Sequence, residues 1–224
     1  MTLDMAALPE RTTDLVNAAP ILPGRYQEIR FILSGAFIRV AGDGVYATPD
    51  YDEVPWGLPV VGELVIPSLG QSGLKVKLTE PLAIGRGAPV QTWLLRFDVA
   101  ESFGHPTGGT KWVMHPVIFA TPVGATASIA VAVDTRSLPD ADKRFTVRLD
   151  DAEGYPESRV DVDASAGHAT VQIPYLLPVE GPYRLKLVTF GGAAIATNPA
   201  LPDSIRLNVG ERLQVTVQAT GVAP

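Results

Sequence analysis

Cysteine is absent from this 224-residue chain, which removes disulfides, thiolate metal sites, cysteine nucleophiles and a lipid-attachment cysteine within these residues. Clusters of Lys and Arg are also absent along the sequence: acidic residues outnumber basic ones 24 to 18, for a net charge of -6. Binding to nucleic acid through counterion release needs such clusters. Neither nucleic acid nor an anionic membrane is therefore an expected partner.

The opening MTLDMAALPERTT lacks a basic stretch followed by an apolar one, so no signal peptide is expected within this chain. The longest run without Lys, Arg, Asp or Glu, Trp112 to Val133, has the length of a membrane span. Pro116, Pro122 and Gly124 interrupt it, and it reads as strands joined by a linker. No membrane span is expected. There is no G-x-S-x-G, no P-loop and no dinucleotide glycine fingerprint, and the Gly-rich pieces AGDG, GRGAP and GGAAI read as turns.

What is present is β patterning. Twenty prolines and 21 glycines are spread between short alternating runs, which excludes a long helical bundle. In Gly73 to Glu80, Leu74, Val76 and Leu78 share one face while Lys75, Lys77 and Thr79 take the other, as in a half-buried strand. The same logic assigns Tyr26 to Leu33, Thr92 to Ala100 and Lys111 to Ala120, with weaker runs at Phe37 to Val40 and Val61 to Ile66. Only Leu3 to Val16 has helical character, and Pro9 limits it to a turn or two.

After TPVGATA a second series follows: Ser128 to Asp134, Phe145 to Leu149, Arg159 to Asp163, Ala169 to Ile173, Tyr183 to Phe190, Ile205 to Val209 and Arg212 to Ala219. The expected fold class is all-β, with two antiparallel Greek-key β-sandwich domains in tandem, of transthyretin or immunoglobulin type, at residues 1–121 and 128–224. Gly24-Arg25-Tyr26 and Gly181-Pro182-Tyr183 each open an alternating strand. In both, the tyrosine ring is expected in the core and its hydroxyl on nearby backbone.

Five ordered blocks carry a family resemblance: LDMAAL at Leu3 to Leu8, LPGRYQEIR at Leu22 to Arg30, IPSLGQSGLKVKL at Ile66 to Leu78, LLRFDVAES at Leu94 to Ser102 and KWVMHPVIFAT at Lys111 to Thr121. Together they resemble domain of unknown function 4382, found in exported proteins and lipoproteins of bacteria and archaea. The resemblance implies an extracytoplasmic location: periplasm, cell envelope or secreted. Where the family commonly has an acidic residue before the Phe of its Phe-Asp block, this chain has Arg96, which argues against a paired-carboxylate metal site around Asp98. The family also begins upstream of the block at Leu3, so the first strands look missing and the first sheet is expected to have an open edge. The second half is similar to transthyretin-like and carboxypeptidase-regulatory-like domains, which serve as spacers or binding modules.

His105, His115 and His168 are dispersed and match no zinc motif. No catalytic residue, cofactor or firm metal site is assigned. The acidic stretch beginning Asp150, Asp151 and Glu153 reads first as solvated charge and second as oxygen ligands for calcium. Trp93 and Trp112 fall in phase with core positions, whereas Tyr51 and Trp56, in the loop YDEVPWGLP, form the candidate ligand-binding platform. The expectation is a non-enzymatic envelope or surface interaction module, self-associating or taking a protein partner through a sheet edge. The alternative is a carbohydrate-binding or calcium-dependent adhesion module with a glycan on the Tyr51 to Trp56 loop.

Overall fold

The computed structural model describes residues 20–42, 44–49, 51, 59–67, 69, 73–104 and 111–222. The chain is all-β, with two compact units that meet in sequence between Pro122 and Val123. The expected N-terminal helical turn, Trp56 and His105 lie outside the described residues.

In the first unit the strands are β1 Gly24–Phe31, β2 Phe37–Val40, β3 Gly44–Ala47, β4 Val60–Val65, β5 Leu74–Ile84, β6 Trp93–Asp98, β7 Phe103–Gly104, β8 Lys111–Met114 and β9 Val117–Pro122. They form one sheet in the order β1-β5-β9-β6 and a second in the order β2-β3-β4-β8-β7. Alternation explains the core they share. Ile29 and Phe31 of β1, Val76 of β5, Ile118 of β9 and Phe97 of β6 pack in one cluster with Tyr46, Leu64 and Met114 of the second sheet. Trp93 and Trp112 pack against that cluster, Trp112 edge-on to Tyr46 at 6.3 Å.

Gly73 opens β5 with φ +66, and a Cβ there would stand 2.5 Å from the carbonyl oxygen of Phe31. Only glycine permits both the left-handed backbone and that approach.

The antiparallel sheets expected from the sequence are corrected first: β5 with β9, β3 with β4 and β4 with β8 are parallel neighbours, joined through crossovers rather than hairpins. Three expected strands are corrected as well. Lys111 to Ala120 is two strands: Pro116 has no N–H to donate, and the chain passes at His115–Pro116 from the second sheet (β8) to the first (β9). Thr92 to Ala100 ends at Asp98, whose carboxylate accepts from Glu101 N at 2.9 Å and caps a single helical turn, α1 Val99–Ser102. Ile205 to Val209 contributes one isolated bridge, Ile205 with Tyr183, and no strand.

The second unit contains β10 Ala127–Asp134, β11 Arg144–Asp150, β12 Pro156–Asp163, β13 His168–Leu176, β14 Arg184–Thr189, β15 Ile195–Asn198 and β16 Arg212–Val222. Two sheets, β13-β10-β16-β15 and β12-β11-β14, supply one core. β10 alternates strictly: Ile129, Val131 and Val133 are buried between half-buried neighbours. Phe145, Val147 and Leu149 of β11 and Leu185 and Leu187 of β14 join the same cluster. Each such aliphatic contributes about 1.5–3 kcal/mol relative to exposure.

The tyrosine echo holds differently in the two halves. Tyr183 is fully buried and its hydroxyl donates to Leu177 O at 2.6 Å. Tyr26 donates to Leu22 O at 2.8 Å, but its ring is only half-buried.

Candidate functional site

The candidate platform begins where β3 ends. Thr48 ties this turn to the segment before β2: its N–H donates to Ala36 O at 2.9 Å, and its hydroxyl accepts from Ala36 N at 3.0 Å. Tyr51 N–H then donates to Thr48 O at 3.3 Å. The Tyr51 ring stacks on Phe37, with centroids 5.9 Å apart and planes at 23°. It also lies against Gly35, where an added Cβ would be 2.4 Å from Tyr51 Cδ2.

Thr48, Pro49, Tyr51, Val60, Gly62 and Glu63 line an open concavity of about 670 Å3. Val60 is about half exposed, while the Glu63 carboxylate is engaged by Lys111 at 2.5 Å. The wall is thus apolar, with one aromatic ring, itself partly covered by Phe37, and an ion pair at the rim. Such a surface can hold the face of a sugar; its one carboxylate is already paired.

A second corner brings together the residue types of acyl transfer. Ser102 Oγ is buried, donates to Asp98 O and accepts from Val117 N at 2.9 Å, while His115 N–H donates to Ser102 O at 2.8 Å. Those contacts tie α1 to β9. The Ser102 hydroxyl is held by backbone on both sides, the Asp98 carboxylate caps α1 and the His115 side chain is exposed. A serine nucleophile needs its hydroxyl directed at a neighbouring base, and here the Ser102 hydroxyl donates to a backbone carbonyl instead.

The acidic stretch separates into individual roles. Asp150 is fully buried and accepts from Arg148 Nε at 2.5 Å and Lys186 Nζ at 2.7 Å. Burial pushes its pKa up, but the hydrogen bonds and positive charges of Lys186 and Arg148 outweigh this and hold the carboxyl below the usual Asp value. Asp151 accepts from Tyr155 N at 2.8 Å and closes the turn between β11 and β12, and Glu153 is exposed in that turn. A calcium ion at Asp150 would have to displace two cations. Among the described residues no three His, Asp or Glu side chains converge on a common point. His168, exposed at the start of β13, pairs in register with Asp134. The Asp134 carboxyl is lowered to about 2 by its hydrogen bonds with Arg136.

One assembly of charge is invisible along the sequence. Register sets Arg148 opposite Arg159 on one side and Lys186 on the other, and sets Arg184 opposite Asp150. The chain has no run of basic residues, yet β11, β12 and β14 build a basic row in space. Nothing short of strand pairing would have revealed it.

The geometry defines an all-β protein of two compact units, each with a two-sheet core. The model of the family described as Domain of unknown function (DUF4382) matches residues 1–116, just over half of the chain, and the chain belongs to that family. None of the curated proteins matches it.

Proposed function

We propose that this chain is a non-enzymatic, extracytoplasmic structural and interaction module of the cell envelope or surface, assembling through a sheet edge of its first unit. The observation that carries the reading is β1. It ends the order β1-β5-β9-β6, and among the described residues it pairs with β5 alone. Eight residues long and free of proline, it offers backbone N–H and C=O groups to another strand. Exposed Leu22 and Ile32 flank it.

We read both units as Greek-key sandwiches, the second of transthyretin-like type with a domain boundary near 121–127. Its support is the pairing of a four-stranded with a three-stranded sheet over one core. Export is inferred from the family to which the first unit belongs. The non-enzymatic reading is supported by the structural duties of Ser102, Asp98 and Asp150.

Sedimentation of the full chain at micromolar concentration, with hydrogen exchange of the β1 amides, tests the edge. Self-association with β1 protected only in the assembly is expected. A strict monomer whose β1 amides are already protected would mean that the chain closes its own sheet, and would sink the proposal.

The Tyr51 concavity favours a second reading, a carbohydrate-binding or calcium-dependent adhesion module. A glycan array with and without calcium separates the two, since only this reading expects glycan capture that Tyr51→Ala removes.

A further inference from the structure

The outward face of the β12-β11-β14 sheet carries three cations abreast. Arg159, Arg148 and Lys186 occupy directly opposed positions on its three strands, and neighbouring strands lie about 4.8 Å apart. Like charges directly opposed across strands destabilise a sheet. In this fold one buried carboxylate, Asp150, at the next position of β11 on the same face, holds Arg148 and Lys186 in place.

Arg159 and Arg184 are left over. Both are exposed, and no ion pair or hydrogen bond of their side chains occurs among the described residues. The other acids of the face have separate places. Asp163 pairs with Arg144 at 3.0 Å; Asp161, the next outward position from Arg159 on β12, accepts from the Thr146 hydroxyl at 2.7 Å; and Glu157 lies at the register shift of β12, where Asp150 faces Pro156. Within the row Arg159 and Arg184 are thus two exposed cations that no ion pair among the described residues engages, on a chain whose net charge is -6.

We propose that this face is a binding site for an acidic polysaccharide, whose sugar carboxylates lie across the strands along Arg159, Arg148 and Lys186, with Arg184 beside them. Three features favour that occupant. The planar guanidinium fork engages a carboxylate through two parallel hydrogen bonds. One cation per strand, repeated at the strand spacing, suits a chain bearing one charge per sugar. The outward positions of the row hold no aromatic ring, whereas single-stranded nucleic acid sites stack bases on aromatics. The site is separate from the Tyr51 concavity of the first unit and does not depend on it.

The test uses the full chain and oligogalacturonate, with its methyl-esterified form and single-stranded DNA as controls, by calorimetry at low and high salt with a chelator present. Arg159→Gln with Arg184→Gln is the informative variant, because these two side chains make no hydrogen bond or ion pair among the described residues, unlike Arg148 and Lys186. The acidic oligomer should bind, the ester should not, added salt should weaken binding, and the double variant should lose roughly tenfold or more in affinity. Circular dichroism should show the variant folded as the parent. No binding of oligogalacturonate would overturn the proposal. So would equal binding of the ester, equal binding of DNA, or affinity unchanged in the folded double variant.

Discussion

Asp150 and its two cations make opposite predictions for the two ways of breaking them. Arg148 and Lys186 keep 34% and 50% of their side chains exposed, whereas Asp150 keeps none. Asp150→Ala frees two cations that can turn to water. The loss is therefore that of two half-solvated charge-assisted bonds, about 1–2 kcal/mol after allowance for exposure. Arg148→Met with Lys186→Met does the reverse, leaving a dry carboxylate without either of its bonded counter-charges and with only the exposed Arg184 across the strand, which costs up to about 3–5 kcal/mol.

The pH dependence should invert as well. In the parent the Asp150 pKa is depressed, so its contribution is present above the unfolded value of about 3.9 and is lost as pH falls through the folded value. In the double Met variant the two cations that lower the pKa are gone, burial outweighs the exposed Arg184 across the strand, and the folded pKa is raised. Its stability should then be greatest below about pH 4 and decline as pH rises toward neutrality. The other depressed carboxyls, Asp134, Asp140 and Asp163, are common to parent and variant and cancel in the difference.

The assay is urea denaturation followed by far-UV circular dichroism between pH 4 and 7. Tryptophan fluorescence would miss the effect, because Trp56, Trp93 and Trp112 all precede the second unit. Adding Asp150→Leu to the double variant should recover most of the loss, since an apolar replacement of a whole buried ion cluster is tolerated. The argument is refuted if Asp150→Ala costs as much as removing both cations, or if the double variant grows more stable with rising pH.

Three further outcomes are expected. Tyr183→Phe should cost about 0.5–1.5 kcal/mol by denaturation, because it removes a part-buried hydrogen bond to Leu177 O, which keeps Glu180 N at 3.0 Å as a donor, while Tyr26→Phe at an exposed bond should cost less. Gly73→Ala should destabilise the first unit by about 1–2 kcal/mol or more, seen in tryptophan fluorescence, from the left-handed backbone and the clash with Phe31 O; a neutral result would mean that β5 starts differently. Elemental analysis after purification without added metal should find no stoichiometric zinc, iron or copper, and one transition metal per chain would overturn the reading of exposed His115 and His168 as uninvolved.

The strands were legible because each sheet has one dry face. Leu74 and Val76, or Ile129, Val131 and Val133, show that face directly. β3 was missed because it has no alternation to show: Val45, Tyr46 and Ala47 are buried in succession. Lys111 to Ala120 misled for a different reason. Met114, Ile118 and Ala120 keep one phase of burial across Pro116, so the pattern stays continuous while the hydrogen bonding changes sheet. The aromatic side of the candidate site was legible as far as Tyr51, but its stacking on Phe37 needs the turn that Thr48 makes to Ala36. Asp150 looked like the first residue of an acidic loop; its burial depends on Lys186, 36 residues further on. The same distance effect hid the basic row, whose members belong to three strands.

The parallel pairing of β10 with β16 sets an order of events during folding. Ser128 lies beside Arg212 and Asp134 beside Gln218, so the opening strand of the second unit has as its inner neighbour the strand that arrives last. Loop closure over so long a separation is slow compared with forming hairpins. β15 has no neighbour in its sheet except β16, so until that strand is present neither β10 nor β15 has its full set of partners. In a nascent chain of this design the β13-β10-β16-β15 sheet of the second unit would remain incomplete until its last strand had been made.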